Sequence, residues 1–488
     1  MKESQPGKLT EEPINLQDTP FANATANPLG HEPIGVLLIR FAIPAIIAML
    51  VNALYNVVDQ IFIGQGVGYL GMGATTVSMP LTTISIAITV LIGMGGSALS
   101  AIKLGERKRD EAERILGTSF TSLALLSIAV AILFSIFIEP LLGLFGATPS
   151  IMPYAREYAL IINIGLPFSA LANGMSHFIR NAGSPRVAML SQVAGAVLNC
   201  ILDPLFIFVF HWGVGGAAIA TVISQIVSCS IVVWYLMNKG EQMRLHVRHL
   251  KPNSKLFLAI SAMGIPGFLM QSASVLMQLI SNNSLVTYGN QTEYGGDIAL
   301  SAMGVSLRIN FIAICLLLGL HQGAQPIIGY NKGAGRPDRV KKAYILTVTI
   351  ASVVAVLAWL VMRLAPEAIL SIFGNGTPKF NEFAVRCLRI FLFGMFGSGF
   401  QIISANYFQA SGQPLKSTLL SSSRQLLLLA PLTLILPLFF GLDGVLYAGP
   451  VSDIIALLLT GVFIFREMHK LDREIMQMHS STNTLEGA

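Results

Sequence analysis

The chain has 488 residues, of which 53% are hydrophobic and only 11% charged. A soluble protein carries roughly 25% charged residues, so the composition excludes a water-soluble fold and indicates an integral membrane protein. The formal net charge of +6 then belongs to loops rather than to a nucleic-acid-binding face, and no nucleic-acid partner is expected.

Residues 1–33 are polar, with Glu3, Glu11, Glu12 and Asp18, and lack the apolar core of a signal peptide. They are expected to be a disordered cytoplasmic tail. A bilayer-spanning helix needs about 20 mainly apolar residues. Twelve such stretches follow, at 36–63, 75–102, 115–138, 155–180, 187–210, 215–237, 256–286, 298–328, 343–364, 385–410, 417–440 and 444–466. Barrel strands would be shorter and would alternate, so an all-α polytopic membrane protein with twelve transmembrane helices is expected.

Lys and Arg favour the cytoplasmic side. The 103–114 connection holds Lys103, Arg107, Lys108, Arg109 and Arg114; 239–255 holds Lys239, Arg244, Arg248, Lys251 and Lys255; 332–342 holds Lys332, Arg336, Arg339, Lys341 and Lys342. The alternate connections at 64–74, 211–214, 287–297 and 441–443 hold neither residue type. Both termini are therefore expected in the cytoplasm of a multi-pass inner-membrane protein.

The chain repeats itself. Ile43-Pro44 recurs as Ile265-Pro266, Phe145-Gly146 as Phe373-Gly374, Ala182-Gly-Ser-Pro185 as Ser411-Gly-Gln-Pro414, and Gly213-Val-Gly-Gly216 as Gly441-Leu-Asp-Gly444. The offsets are 266 − 44 = 222, 374 − 146 = 228 and 414 − 185 = 229. This predicts two pseudo-symmetric six-helix lobes running in the same direction. The expected boundaries are an N-lobe at 34–238, a cytoplasmic linker at 239–255, a C-lobe at 256–468 and a cytoplasmic tail at 469–488. Parallel repeats are common in transporters, with the site near the bilayer midplane.

The halves differ where chemistry is expected. Asp59 and Asp203 lie in apolar stretches of the first half, and the repeat offsets carry them to Ser281 and to Pro431 or Leu432. A charged side chain at the bilayer centre costs about 2.5–3.5 kcal/mol on insertion scales and is functional by default. Asn199 and Asp203, four apart, share a helix face, and Gln192 lies on it two turns earlier. Pro204 frees a backbone carbonyl. Asn52, Asn56 and Asp59 form a polar face on the first helix, which Pro44 can bend, and Thr221 adds a hydroxyl on the sixth. Two carboxylates, an amide oxygen and a hydroxyl are hard oxygen ligands, suited to Na⁺ or to a shared proton. A structural alternative makes each Asp a protonated hydrogen-bond donor or a partner of Arg308.

In the second half, Gln271, Gln278 and Asn282 stripe one helix, Gln401 and Gln409 mark another, and Arg308 and Asp453 are close enough to mid-span to neutralise each other. Gln271, Gln278, Asn282 and Gln401, with Asn52, Asn56, Gln192 and Arg308, are candidates for lining a substrate cavity; interhelical hydrogen bonding is the plainer role of the amides. His177 and His321 read as structural, and the cysteines as small packed residues. No phosphate loop, HExxH, CxxC or GxSxG motif occurs. An enzyme and a bound cofactor are not expected, and any uphill transport must draw on an ion gradient.

At these residues the chain resembles the multidrug and toxic compound extrusion (MATE) family over about 34–468. The resemblance rests on Ile43-Pro44 with Asp59-Gln-Ile-Phe-Ile-Gly64, Leu198-Asn199-Cys-Ile-Leu-Asp203-Pro204, Gly213-Val-Gly-Gly-Ala-Ala-Ile-Ala-Thr221 and Gln322-Gly-Ala-Gln-Pro-Ile-Ile-Gly-Tyr-Asn331. The last run is similar to the bacterial MepA-like group. The resemblance implies two six-helix bundles in a V that alternate between inward and outward openings. It also implies export of amphipathic, often cationic drugs in exchange for H⁺ or Na⁺, by a monomer. The N-lobe cation site of such proteins maps onto Asp59, Asn199, Asp203 and Thr221. Acidic residues that some members carry on the seventh and tenth helices are replaced here by Gln278, Asn282 and Gln401, which places coupling in the N-lobe. A lipid-linked precursor flippase of the same superfamily is the alternative, and an intramembrane prenyl transferase ranks behind it, since its paired acidic motifs are missing.

Overall fold

The computed structural model describes residues 28–240, 242–372 and 378–486. Among these residues the chain forms helices joined by turns, with no strand. Twelve helices are long and apolar enough to cross a membrane: α1 (Ile34–Gly66), α2 (Leu70–Gly105), α3 (Arg109–Ile136), α4 (Met152–Asn181), α5 (Pro185–Val209), α6 (Gly213–Asn238), α7 (Ser254–Gly289), α8 (Ile298–Gly333), α9 (Pro337–Leu364), α10 (Pro378–Ala410), α11 (Pro414–Phe440) and α12 (Leu442–Met478). Most overrun the apolar stretches because backbone hydrogen bonding continues past the last apolar residue until a cap or a proline stops it. α7 begins where Asn253 Oδ1 accepts from the backbone N–H of Lys255 at 3.0 Å and of Leu256 at 3.2 Å, which satisfies two of the orphan donors at a helix start.

Several spans are irregular. In α5 a π-turn, Leu205–Val209, follows at once on Pro204, whose missing N–H breaks the regular ladder. α2 carries a π-turn at Val90–Met94 and α11 one at Ser423–Leu429. α10 is split by a 3₁₀ segment at Phe393–Gly397.

Two expected tails are partly built into the fold. Pro28–His31 forms a short helix with Leu29 buried. Asn331 Nδ2 and Arg339 Nη2 donate to the Leu29 carbonyl at 2.9 and 3.0 Å, and Arg339 Nη2 also donates to the Glu32 carbonyl at 2.8 Å. The remainder of the expected N-terminal tail, residues 1–27, lies outside the described residues. At the other end the α12 helix runs on to Glu486. Lys341 pairs with Asp472, and Lys332 lies 3.6 Å from Glu474, so this continuation is pinned to the chain near the α8–α9 connection.

The distribution of apolar cores gives the molecule its shape. One large cluster draws on both halves, with Leu37 and Phe41 of α1, Leu116 of α3, Phe178 of α4, Ile327 of α8 and Phe408 of α10. It lies at the helix ends that lead into the basic connections. At the opposite ends the cores are separate: Ala74, Leu81, Phe134 and Leu142 in the first half, Leu285, Met303, Phe383 and Leu446 in the second. The two six-helix lobes thus meet at the basic side and part towards the other, forming a V. Lipid supplies no hydrophobic drive for helices to associate, so close backbone approach must do it. At Gly105 of α2 a Cβ would strike the Tyr330 carbonyl, and at Gly333 of α8 it would strike the Ile102 carbonyl.

Candidate cation site

α1, α5 and α6 converge on a polar cluster in the first lobe. Pro185 opens α5 at a position where proline needs no N–H partner, and the helix runs regularly to Pro204, holding Asn199 and Asp203 on one face. Asp59, Asn199 and Asp203 are buried and Thr221 is half-buried. Asn199 Nδ2 donates to Asp203 Oδ1 at 3.0 Å and to Thr221 Oγ1 at 3.3 Å. The Asp59 and Asp203 carboxyls are within hydrogen-bonding reach of each other. All four residues singled out as a cation-coupling set therefore meet.

Three oxygens of the cluster, Asp59 Oδ1, Asp203 Oδ2 and Asn199 Oδ1, are buried without a hydrogen-bond partner. Two carboxylates within hydrogen-bonding reach in a buried site do not both remain charged and unneutralised. They either share a proton or accept a cation between them. Sodium would find two carboxylate oxygens, an amide oxygen and the Thr221 hydroxyl, all hard donors.

The surroundings include residues that the sequence did not single out. Gln60 Nε2 donates to Asp59 Oδ2 at 3.4 Å, and Thr75 Oγ1 of α2 donates to Gln60 Oε1 at 3.0 Å. Tyr55, one turn before Asp59, and Tyr158 of α4 lie within electrostatic range of both carboxyls. An apolar cap of Ile63, Ile207 and Ala217 with Phe62 lies next to the cluster, and Phe62 meets Phe208 edge-on at 6.2 Å. Ser228 Oγ of α6 donates to the Ser191 carbonyl of α5 at 3.0 Å, fastening the two helices that carry Thr221 and Asp203.

The other candidates lie outside this cluster. Asn52 and Asn56 are exposed and bond to each other, Asn56 Nδ2 donating to the Asn52 carbonyl at 2.6 Å. Gln192 is half-buried two turns from Asn199. In the second lobe Gln271 and Asn282 are half-buried, Gln278 and Arg308 are exposed, and Gln401 is buried. Pro44 lies within an unbroken α1. The expected neutralisation of Asp453 by Arg308 is corrected: Arg424 Nε of α11 donates to Asp453 Oδ1 at 2.5 Å. The α11 π-turn that begins at Ser423 carries Arg424, and Gly394 of α10 leaves the space Asp453 occupies.

The MatE family model matches the chain twice, at residues 44–205 and 266–435. The chain is 25% identical over 434 residues to "Multidrug export protein MepA" of Staphylococcus haemolyticus (strain JCSC1435), covering 89% of this chain and 94% of the relative. It is 26% identical to the protein of the same name from Staphylococcus aureus (strain MRSA252), with the same coverage of each. Among solved structures, a ligand complex of the MATE multidrug transporter DinF-BH superposes with a TM-score of 0.83 at 34% identity, over 90% of this chain and 96% of that one. A MOP superfamily transporter from Pyrococcus furiosus superposes at 0.84 with 24% identity, over 91% and 98% of the two chains, and supports the fold.

Proposed function

Because the chain belongs to the MatE family, whose model it carries in both halves, we propose that it exports drugs across the cytoplasmic membrane by antiport against H⁺ or Na⁺. The observation that carries the coupling is the trio of unpartnered buried oxygens on Asp59, Asn199 and Asp203. The relatives named as multidrug exporters and the multidrug transporter DinF-BH support a drug cargo, and the paired carboxylates of the first lobe favour an amphipathic organic cation. The basic connections and both termini face the cytoplasm in this reading, so the V opens outward.

In the outward-open form H⁺ or Na⁺ enters from outside and neutralises the Asp59–Asp203 pair. Neutralisation removes the negative charge that favours a cationic drug within the first lobe, and the drug leaves outward. The lobes then rock about the contacts between α1 and α2 on one side and α7 and α8 on the other, and the ion is released inside. Pro44 is four turns from Asp59, next to Ala42 and Ile46, which pack on Gly323 and Gly319 of α8. A bend at Pro44 turns the carboxylate-bearing half of α1 against this seam.

The test is efflux of ethidium from proteoliposomes with a Na⁺ gradient and a pH gradient imposed separately. Transport driven by one gradient and lost in Asp203→Asn, with the variant still folded, is the expected result and names the ion. Wild-type transport in Asp203→Asn would sink the coupling assignment, and no transport by the folded wild type under either gradient would sink drug–ion antiport.

A further inference from the structure

α4 carries a cation for which the transport scheme has no use. Arg180 is 3% exposed, and among the described residues no carboxylate acts on it. Its Nη2 lies 2.9 Å from Nδ1 of His177. Arginine can only donate, so Nδ1 accepts and the neutral imidazole carries its proton on Nε2. Histidine in that tautomer adds a donor and removes no charge. From the other lobe, α8 packs against α4 and brings His321 within electrostatic range of the same guanidinium. It is 5% exposed and its Nε2 has no hydrogen-bond partner. Gln325, four residues on and on the same helix face, is 3% exposed, and its Nε2 is also without a partner.

Neighbouring groups do not compensate this charge. The carbonyls at the end of a helix attract cations, but those of α4 are taken: the N–H groups of Ala182, Gly183 and Ser184 donate to Phe178, Arg180 and Ile179. The Arg180 side chain leans the other way, back one turn to His177, as helical side chains do. The Asn181 amide nitrogen donates to the carbonyl and hydroxyl of Ser97, at 2.5 and 2.7 Å. What remains is one buried positive charge on α4 and two buried, unpartnered nitrogens on the facing helix α8. Buried charges are ordinarily paired. The contrast with the Asp59 cluster is chemical: there the unpartnered atoms are oxygens, here they are nitrogens.

We propose that Arg180, His321 and Gln325 hold a small monovalent inorganic anion, of the halide class, between the lobes, and that this ion ties α4 to α8 while the basic side is closed. One guanidinium matches one negative charge, and the depth of burial favours an ion without a bulky hydration shell. Because the donors come from both lobes, the site is whole only in the closed-basic-side form, and the anion stabilises that form by mass action.

The experiment uses the full-length protein in detergent, without drug, at fixed pH and Na⁺ concentration, with chloride, bromide, nitrate, benzoate or gluconate as the anion. Saturable thermal stabilisation by chloride and bromide over gluconate is expected, with an anomalous bromide peak between Arg180 and His321 in crystals. Arg180→Gln risks misfolding, so Gln325→Leu and His321→Phe carry the test. Losing one hydrogen bond to a charged ligand raises the half-saturating halide concentration about tenfold. Equal melting in chloride and gluconate with no bromide peak overturns the proposal. So does a halide effect unchanged in both variants, which puts the ion elsewhere. Stabilisation by benzoate alone also overturns it and assigns the donors to an organic acid group.

Discussion

Asn199 divides one amide nitrogen between Asp203 Oδ1, at 3.0 Å, and Thr221 Oγ1, at 3.3 Å. The bond fixes one oxygen of the carboxylate and leaves the other, Asp203 Oδ2, and its own Oδ1 without partners. The amide therefore orients the carboxylate and offers a ligand oxygen of its own.

Asn199→Leu removes both roles while keeping the branching and the number of side-chain heavy atoms. A hydrogen bond to a charged group contributes about 1.5–3 kcal/mol, so the half-saturating concentration of the coupling ion is expected to rise at least about tenfold. Ion-concentration dependence of ethidium efflux in proteoliposomes checks this. An unchanged midpoint would place the ion away from Asn199.

Much of this cluster was legible in the sequence because its signals are strong and local. A carboxylate in an apolar stretch is rare, and the Asn199–Asp203 spacing sets one helix face. Gln60, Thr75 and Tyr158 were not legible. Each is unremarkable on its own helix, and its role depends on which helices pack together. The partner of Asp453 was misread for the same reason: Arg308 and Arg424 are both arginines within apolar stretches, and only packing of α11 against α12 selects Arg424. Arg180 did leave a trace. The repeat offset 409 − 180 = 229 sets it against Gln409, so one lobe carries a charge where the other carries an amide that donates to the Met263 carbonyl at 2.7 Å. At a helix end that trace looks like an ordinary basic residue.

The Arg424–Asp453 pair separates charge pairing from charge itself. Removing one partner of a fully buried pair typically costs about 3–5 kcal/mol, whereas replacing both with apolar residues is often neutral; here Asp453 is buried and Arg424 is 32% exposed, so the loss falls below that range. Asp453→Leu is therefore expected to lower the unfolding temperature sharply, and the Arg424→Met, Asp453→Leu double variant to recover most of it. Thermal unfolding of the four proteins in one detergent measures the coupling. Additive losses would mean that the pair is not the unit.

Gly333→Leu drives a wedge into the lobe contact, because its side chain meets the Ile102 carbonyl. Backbone cannot step aside as a side chain would, so the closed basic side is expected to lose population. Spin labels at Lys108→Cys and Arg336→Cys, both exposed positions, in a background without the four native cysteines, report the distance across that side. A longer mean distance in Gly333→Leu is expected. An unchanged distribution would show that the contact tolerates the side chain.

Pro44→Ala sets stability against transport. Proline in a helix interior removes one backbone hydrogen bond and crowds the carbonyl four residues back, at a cost of about 3 kcal/mol relative to alanine. Here that carbonyl belongs to Arg40, and α1 stays helical through the position. Restoring the N–H is expected to raise the unfolding temperature. If α1 bends at Pro44 to carry Asp59 against the α8 seam, the same change slows gradient-driven efflux while leaving the ion midpoint unaltered, because Asp59 lies four turns beyond. Efflux rate, ion midpoint and unfolding temperature measured on one preparation distinguish the cases. A stabilised variant with wild-type efflux would remove Pro44 from the transport cycle, and a shifted ion midpoint would mean that the proline shapes the cation site itself.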